Sequence, residues 1–222
     1  MSLKVFDAQV KGIAALENVL SHNTYRLVID KGWVSRDEAA DALDVARSVA
    51  AFHLEKLVDS GLLKVRYERR TGRTGPGAGR PSKLYGRSER EFDVSLPPRR
   101  YDLAGALLAD AVTLAEENGT PISKAVTLVS RDAGELVGAS CEDNIDLVSV
   151  LERHGYEPNV QDRMIKLLNC PFDGLAQQHR NLVCGMNLDF LNGIVTGMGI
   201  ATAFALQLAP EPGYCCVRFD AL

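Results

Sequence analysis

The sequence has no CxxC pair, no HExxH, no GxSxG elbow and no glycine-rich phosphate loop. Those absences remove the usual signatures of metalloproteases, serine hydrolases and nucleotide-using enzymes. His179 and Cys184 lie five positions apart at a helix start, poor geometry for a base and its nucleophile, so the chain reads as a non-enzyme. No apolar run approaches the roughly 20 residues of a membrane span. The opening MSLKVFDAQ lacks the apolar core of a signal peptide, which predicts a cytoplasmic protein with reduced thiols. Tryptophan occurs once, and Trp33 is expected to plug a small N-terminal core.

The chain has 222 residues, 46% hydrophobic and 24% charged, enough for two modest domains. Its net charge of −4 is unevenly spread. Residues 1–100 hold 18 Lys and Arg against 13 Asp and Glu, whereas residues 101–222 hold 7 against 16. The front half can approach a polyanion and the back half cannot.

Residues 4–31 predict one or two leading helices. In VSRDEAADALDVARSVAAFHLEKLVDSGLLKV, Ser35 is a good N-cap for a short helix with Ala39, Ala40 and Leu43 on one face. Asp44 and Val45 make a turn. Val49, Leu54, Leu57 and Val58 then recur along a second helix that Gly61 ends. An exposed Arg47–Ser48 start is how a recognition helix enters a DNA major groove. Ala51, His53 and Lys56 share the outer face, with His53 near a phosphate, and Phe52 is assigned to the core. Leu63, Val65 and Tyr67 alternate with Lys64, Arg66 and Glu68 as a half-buried strand. RRTGRTGPGAGRPS follows as a loop, and Ser82–Arg87 returns as a second strand. Strand, basic loop and strand behind such a helix form a wing, with Arg69, Arg70, Arg73, Arg80 and Lys83 along the phosphates. The candidate DNA-facing set is thus Ser35, Arg47, Ser48, Ala51, His53, Lys56 and these five.

Residues about 8–90, through HLEKLVDSGLLK and the closure GRPSKLYGRS, resemble the winged-helix domain of ArsR-type bacterial transcriptional regulators. The GRPSKLY element, with Arg80, Pro81 and Tyr85, is typical of the subset with a C-terminal sensor domain. The resemblance implies a homodimer that binds double-stranded DNA at a palindromic operator.

The polar stretch 88–100, with Pro97–Pro98, predicts a boundary: residues 1–92 as a winged helix-turn-helix domain, 93–100 as linker, and 101–222 as a second domain. There the pattern predicts helices over 101–118, 121–137, 144–153, 173–179 and 183–196. Strands are expected over 156–161 and 164–168, and a last hairpin over 200–208 and 214–219. The fold class is α+β, with C-terminal helices packed on a small, mainly antiparallel sheet. The helix from Tyr101 is the candidate dimer contact.

Four of the five cysteines fall at 170, 184, 215 and 216. Soft thiolates, with His179 as a further ligand, suit an iron–sulfur cluster or zinc. Strand alternation sends Cys215 and Cys216 to opposite faces, so one of them joins Cys170 and Cys184. Cys141 has no evident partner. NCPFDGLAQQHRNLVCGMNLDFLNGIVTG…PGYCCV resembles the sensor region of SufR-like regulators, which implies an iron–sulfur cluster held by Cys170, Cys184 and Cys215 or Cys216. Zinc on Cys170, His179, Cys184 and one of the pair stays open. So does a sensor for a small apolar ligand, its cavity lined by GIVTGMGIATAFALQL and its cysteines structural or zinc-binding.

Overall fold

The computed structural model describes residues 3–68, 81–142 and 144–222. The chain divides between Val94 and Ser95 into two compact units. Residues 98–100 belong to the second unit rather than to a free linker: Arg100 N–H donates to the Pro171 carbonyl at 3.0 Å, and Asn169 Nδ2 to that of Pro98 at 2.9 Å. The described residues form nine helices and two small antiparallel sheets, an α+β architecture. None of these helices is long and apolar enough to cross a membrane.

The first unit runs α1 (Leu3–Ala14), α2 (Val19–Lys31), β1 (Trp33–Ser35), α3 (Arg36–Leu43), α4 (Arg47–Asp59), β2 (Leu63–Glu68) and β3 (Ser82–Arg87). Ser35 starts α3 with a capping box: its Oγ accepts from the Glu38 N–H, and the Glu38 carboxylate accepts from the Ser35 N–H. Asp44 ends that helix in the left-handed region, at φ 51°. Gly61, at φ 81°, closes α4, with Leu62 N–H on the Leu57 carbonyl and Gly61 N–H on that of Val58. The sheet order is β1-β3-β2, pairing Val34 and Val65 with Tyr85 from either side.

The buried stripe of α4 is Ala50, His53, Leu54 and Leu57. Val49 (37% exposed) and Phe52 (64%) face outward, which corrects both as core residues. Positions 50, 53, 54 and 57 follow the helical repeat, and His53 is admitted because Ser21 Oγ meets its Nδ1 at 2.9 Å. Trp33 is half-buried on the sheet, not a core plug. Its ring lies against Gly86, where a Cβ would come within 2.8 Å, and the Arg66 guanidinium sits 4.1 Å from the ring centre.

The second unit runs α5 (Tyr101–Asn118), α6 (Ile122–Ala139), α7 (Leu147–Arg153), β4 (Pro158–Gln161), β5 (Met164–Leu167), α8 (Asp173–Gln178), α9 (Arg180–Gly197), β6 (Phe204–Leu208) and β7 (Val217–Ala221). Its sheet, ordered β4-β5-β7-β6, is antiparallel throughout. Phe172, Phe190, Leu191, Ile194, Val217 and Phe219 anchor the core. The closest packing is between α6 and α9, which run parallel with their backbones in contact. Gly134 and Gly138 face the carbonyls of Phe190 and Ile194; Gly193 and Gly197 face those of Arg131 and Glu135. A Cβ at any of the four would lie 2.0–2.3 Å from a carbonyl oxygen. The glycines of the GIVTG stretch therefore seat one helix on another.

Candidate functional site

Around α4, the side chains divide between free and committed groups. Arg47 and Ser48 are exposed, and Arg47 pairs with Asp37. Ala51 and Lys56 are half-buried beside Phe52, in a groove that also includes Ala14 and Asp59. Ser35 is occupied by its cap. His53 is 8% exposed and bonded inward, so it offers nothing to a phosphate. Lys83 is bound within the unit: its Nζ donates to both Glu55 oxygens, at 2.6 and 2.8 Å. Arg69, Arg70, Arg73 and Arg80 lie outside the described residues.

Sequence periodicity does not reveal that Glu55 is a hub. Arg36, Lys83 and Tyr85 all donate to its carboxylate. Burial alone would raise the Glu55 pKa, but the bonds from Lys83, Tyr85 and Arg36 outweigh it and hold the carboxyl at about 2. The local signal was present in SKLY: Lys83 and Tyr85 are two apart on a strand and so share a face. A polar groove of about 680 Å3, lined by Ser35, Arg36, Asp37, Arg47, Ser82 and Lys83 among others, runs beside this hub.

The second unit brings four cysteines together. Cys170, Cys184, Cys215 and Cys216 line one cavity of about 400 Å3, with Asp173, Arg180, Glu211 and Tyr214 around it. Three segments deliver them. Cys170 follows β5 at the corner before Pro171, where Arg99 reaches both the Asn169 side chain and the Cys170 carbonyl. Cys184 lies in the second turn of α9, further inside the helix than the expected start at 183. Cys215 and Cys216 precede β7, so pleat alternation does not separate them and both reach the cavity. Cys215 N–H donates to the Leu167 carbonyl at 2.8 Å, and the Cys216 carbonyl accepts from Ala209 N–H at 2.7 Å. The loop between β6 and β7 is tied to β5 by the Lys166–Glu211 ion pair at 2.7 Å, with Lys166 Nζ also 4.9 Å from the Tyr214 ring centre.

The thiols perturb one another in the order Cys170, Cys215, Cys216, Cys184. The interaction with Cys215, together with burial, pushes the Cys170 thiol far up. Cys170 favours the Cys215 thiolate, yet Cys216 and burial carry Cys215 up to about 12. Cys216 reaches about 12 chiefly through Cys184. Cys184 is lowered by Cys216, against the opposing effect of burial.

His179 is exposed at the junction of α8 and α9 and does not line the cavity, so a zinc set that includes it is not assembled. Among the described residues, no group of three or more His, Cys, Asp or Glu is arranged to hold a metal ion. The four thiols border one cavity. Cys141 is elsewhere, its Sγ on the Val137 carbonyl at 3.3 Å.

Asn187, which no spacing motif marks, is fully buried in α9, three residues after Cys184. Its Nδ2 donates to Cys215 Sγ at 3.2 Å, and its Oδ1 accepts from the buried Tyr156 hydroxyl. No protein-family model, curated protein or solved structure matches the chain.

Proposed function

We propose that the protein is a homodimeric DNA-binding transcriptional regulator, a repressor, whose second unit senses iron–sulfur status through Cys170, Cys184, Cys215 and Cys216. The observation that carries this reading is the meeting of four thiols from three separate segments at one cavity. An all-thiol donor set is soft and suits an iron–sulfur group better than hard cations. When bound, such a group supplies a redox-sensitive and oxygen-sensitive centre. The chain's own part is to place four sulfurs, to shield them with the β6–β7 loop, and to donate hydrogen bonds to them.

The first unit supports the DNA-binding half. In this reading α3 and α4 are the helix-turn-helix, α4 enters the major groove with Arg47 and Ser48 leading, and β2 and β3 are the arms of the wing. The excess of basic residues in the first 100 positions agrees with a polyanionic partner. This is the organisation of the ArsR-type and SufR-like regulators that the sequence resembles. Loading the thiol site changes operator affinity only by its difference in affinity for the binding and non-binding arrangements of the dimer.

Protein purified without oxygen tests both halves. The expected result is bound iron and sulfide with visible absorption, lost together in Cys184→Ser. Duplex affinity should fall with log salt, and Arg47→Ala should flatten that slope by about one phosphate contact, ~0.9. Zinc in place of iron and sulfide would overturn the cluster. An affinity indifferent to salt would overturn the DNA-binding unit.

A further inference from the structure

We infer that Asn187 is a positioning residue of the thiol site, whose amide N–H on Cys215 raises the reduction potential of the iron–sulfur group held there. The inference rests on the cluster reading of the cavity and adds the control of its redox poise. Cys184 and Asn187 are three apart on α9 and so share one face of the helix, and Asn187 meets the cavity through Cys215. Asn187 is 0% exposed and Tyr156 2%, so neither side chain has water as an alternative partner. The amide spans the two: Nδ2 reaches Cys215 Sγ at 3.2 Å while Oδ1 takes the Tyr156 O–H.

Its orientation follows from the chemistry of the partners. A ligating cysteine is a thiolate with no proton to give, so the amide oxygen facing it would be repelled, whereas the amide N–H is attracted. Tyr156 then completes the arrangement by donating to the free oxygen. Asn187 is a side-chain donor, and therefore a group that a substitution can remove without touching the backbone.

A hydrogen bond to a ligand sulfur withdraws electron density from the centre. The reduced state, which carries one more electron, gains more from that bond than the oxidised state does. Removing the donor should therefore make the centre harder to reduce.

The test is redox titration of anaerobically reconstituted protein, followed by visible absorption. At the wild-type midpoint, Asn187→Leu and Asn187→Ala should each raise the oxidised-to-reduced ratio about tenfold, equal to ~59 mV for one electron. Asn187→Ala removes the amide without adding bulk or charge, so it serves as the test where the leucine variant does not fold. Tyr156→Phe keeps the N–H donor and should move the ratio less than about threefold. If Asn187 only packs, its variants lose stability while the midpoint stays put. Midpoints within twofold of wild type, with iron retained, overturn the inference and leave the cluster reading standing. Wild-type protein that takes up no iron and sulfide overturns both.

Discussion

The backbones of Gly134 and Phe190 touch: a Cβ placed on Gly134 would stand 2.0 Å from the Phe190 carbonyl oxygen. Alanine in place of a helical glycine ordinarily stabilises by roughly 1 kcal/mol. Here the methyl group meets main chain that no rotamer change can move. Gly134→Ala should therefore destabilise the second unit by about 2 kcal/mol or more, the scale of an overpacked core. Gly105 in α5 has nothing within 4 Å of its would-be Cβ, so Gly105→Ala should stabilise by about 0.5–1 kcal/mol. Urea unfolding of the two variants checks the pair. Equal shifts of one sign would contradict the contact.

Glu55 carries a second expectation. Its pKa of about 2 lies below the ordinary 4.5, so the folded state holds the carboxylate more firmly than the unfolded chain does. The resulting stability is fully present above pH 4.5 and declines as the pH falls toward 2. The side chain is 35% exposed, so solvent screens the ion pairs and their loss is modest. Glu55→Gln should cost about 1 kcal/mol at neutral pH and flatten the acid limb of the first unit's stability. A pH series of urea midpoints reads both effects.

His53 responds in a higher pH window. Burial, and then the charge of Lys56, lower its pKa from 6.5, so the fold prefers the neutral ring. That preference contributes stability above pH 6.5, lost as the pH drops toward the lowered value. Ser21→Ala leaves Nδ1 without its partner and should destabilise by about 1 kcal/mol. His53→Leu should weaken the dependence of the first unit between pH 5 and 7, while His154, whose pKa burial also lowers, keeps that of the second unit. Thermal unfolding across that range distinguishes them.

Strand and helix periods made much of the second unit readable. The β4–β5 turn at Asp162, the α5 helix and the β6–β7 pairing fall within a few residues of their expected places, because turn residues and alternation are local signals. The face of α4 was harder to read. Ala50 and His53 rank low in hydrophobicity, and the hydroxyl that satisfies His53 lies 32 residues away, where no local pattern reaches. Cys215 and Cys216 were separated in the expectation by a pleat that begins only at Val217. Asn187 carries no local signal, since its partners come from positions 156 and 215. The basic tract at 69–80 lies outside the described residues.

The glycine contact fixes the C-terminal half of α9 directly on the backbone of α6. Its last two turns are seated on α6 without an intervening layer of side chains, while its first two carry Cys184 and Asn187. A slide of one residue, about 1.5 Å along the axis, would drive side chains into carbonyl groups. The seat thus has one register and almost no give. A displacement that begins beside the sulfurs cannot be absorbed between the two helices, so α6 must travel in step with α9.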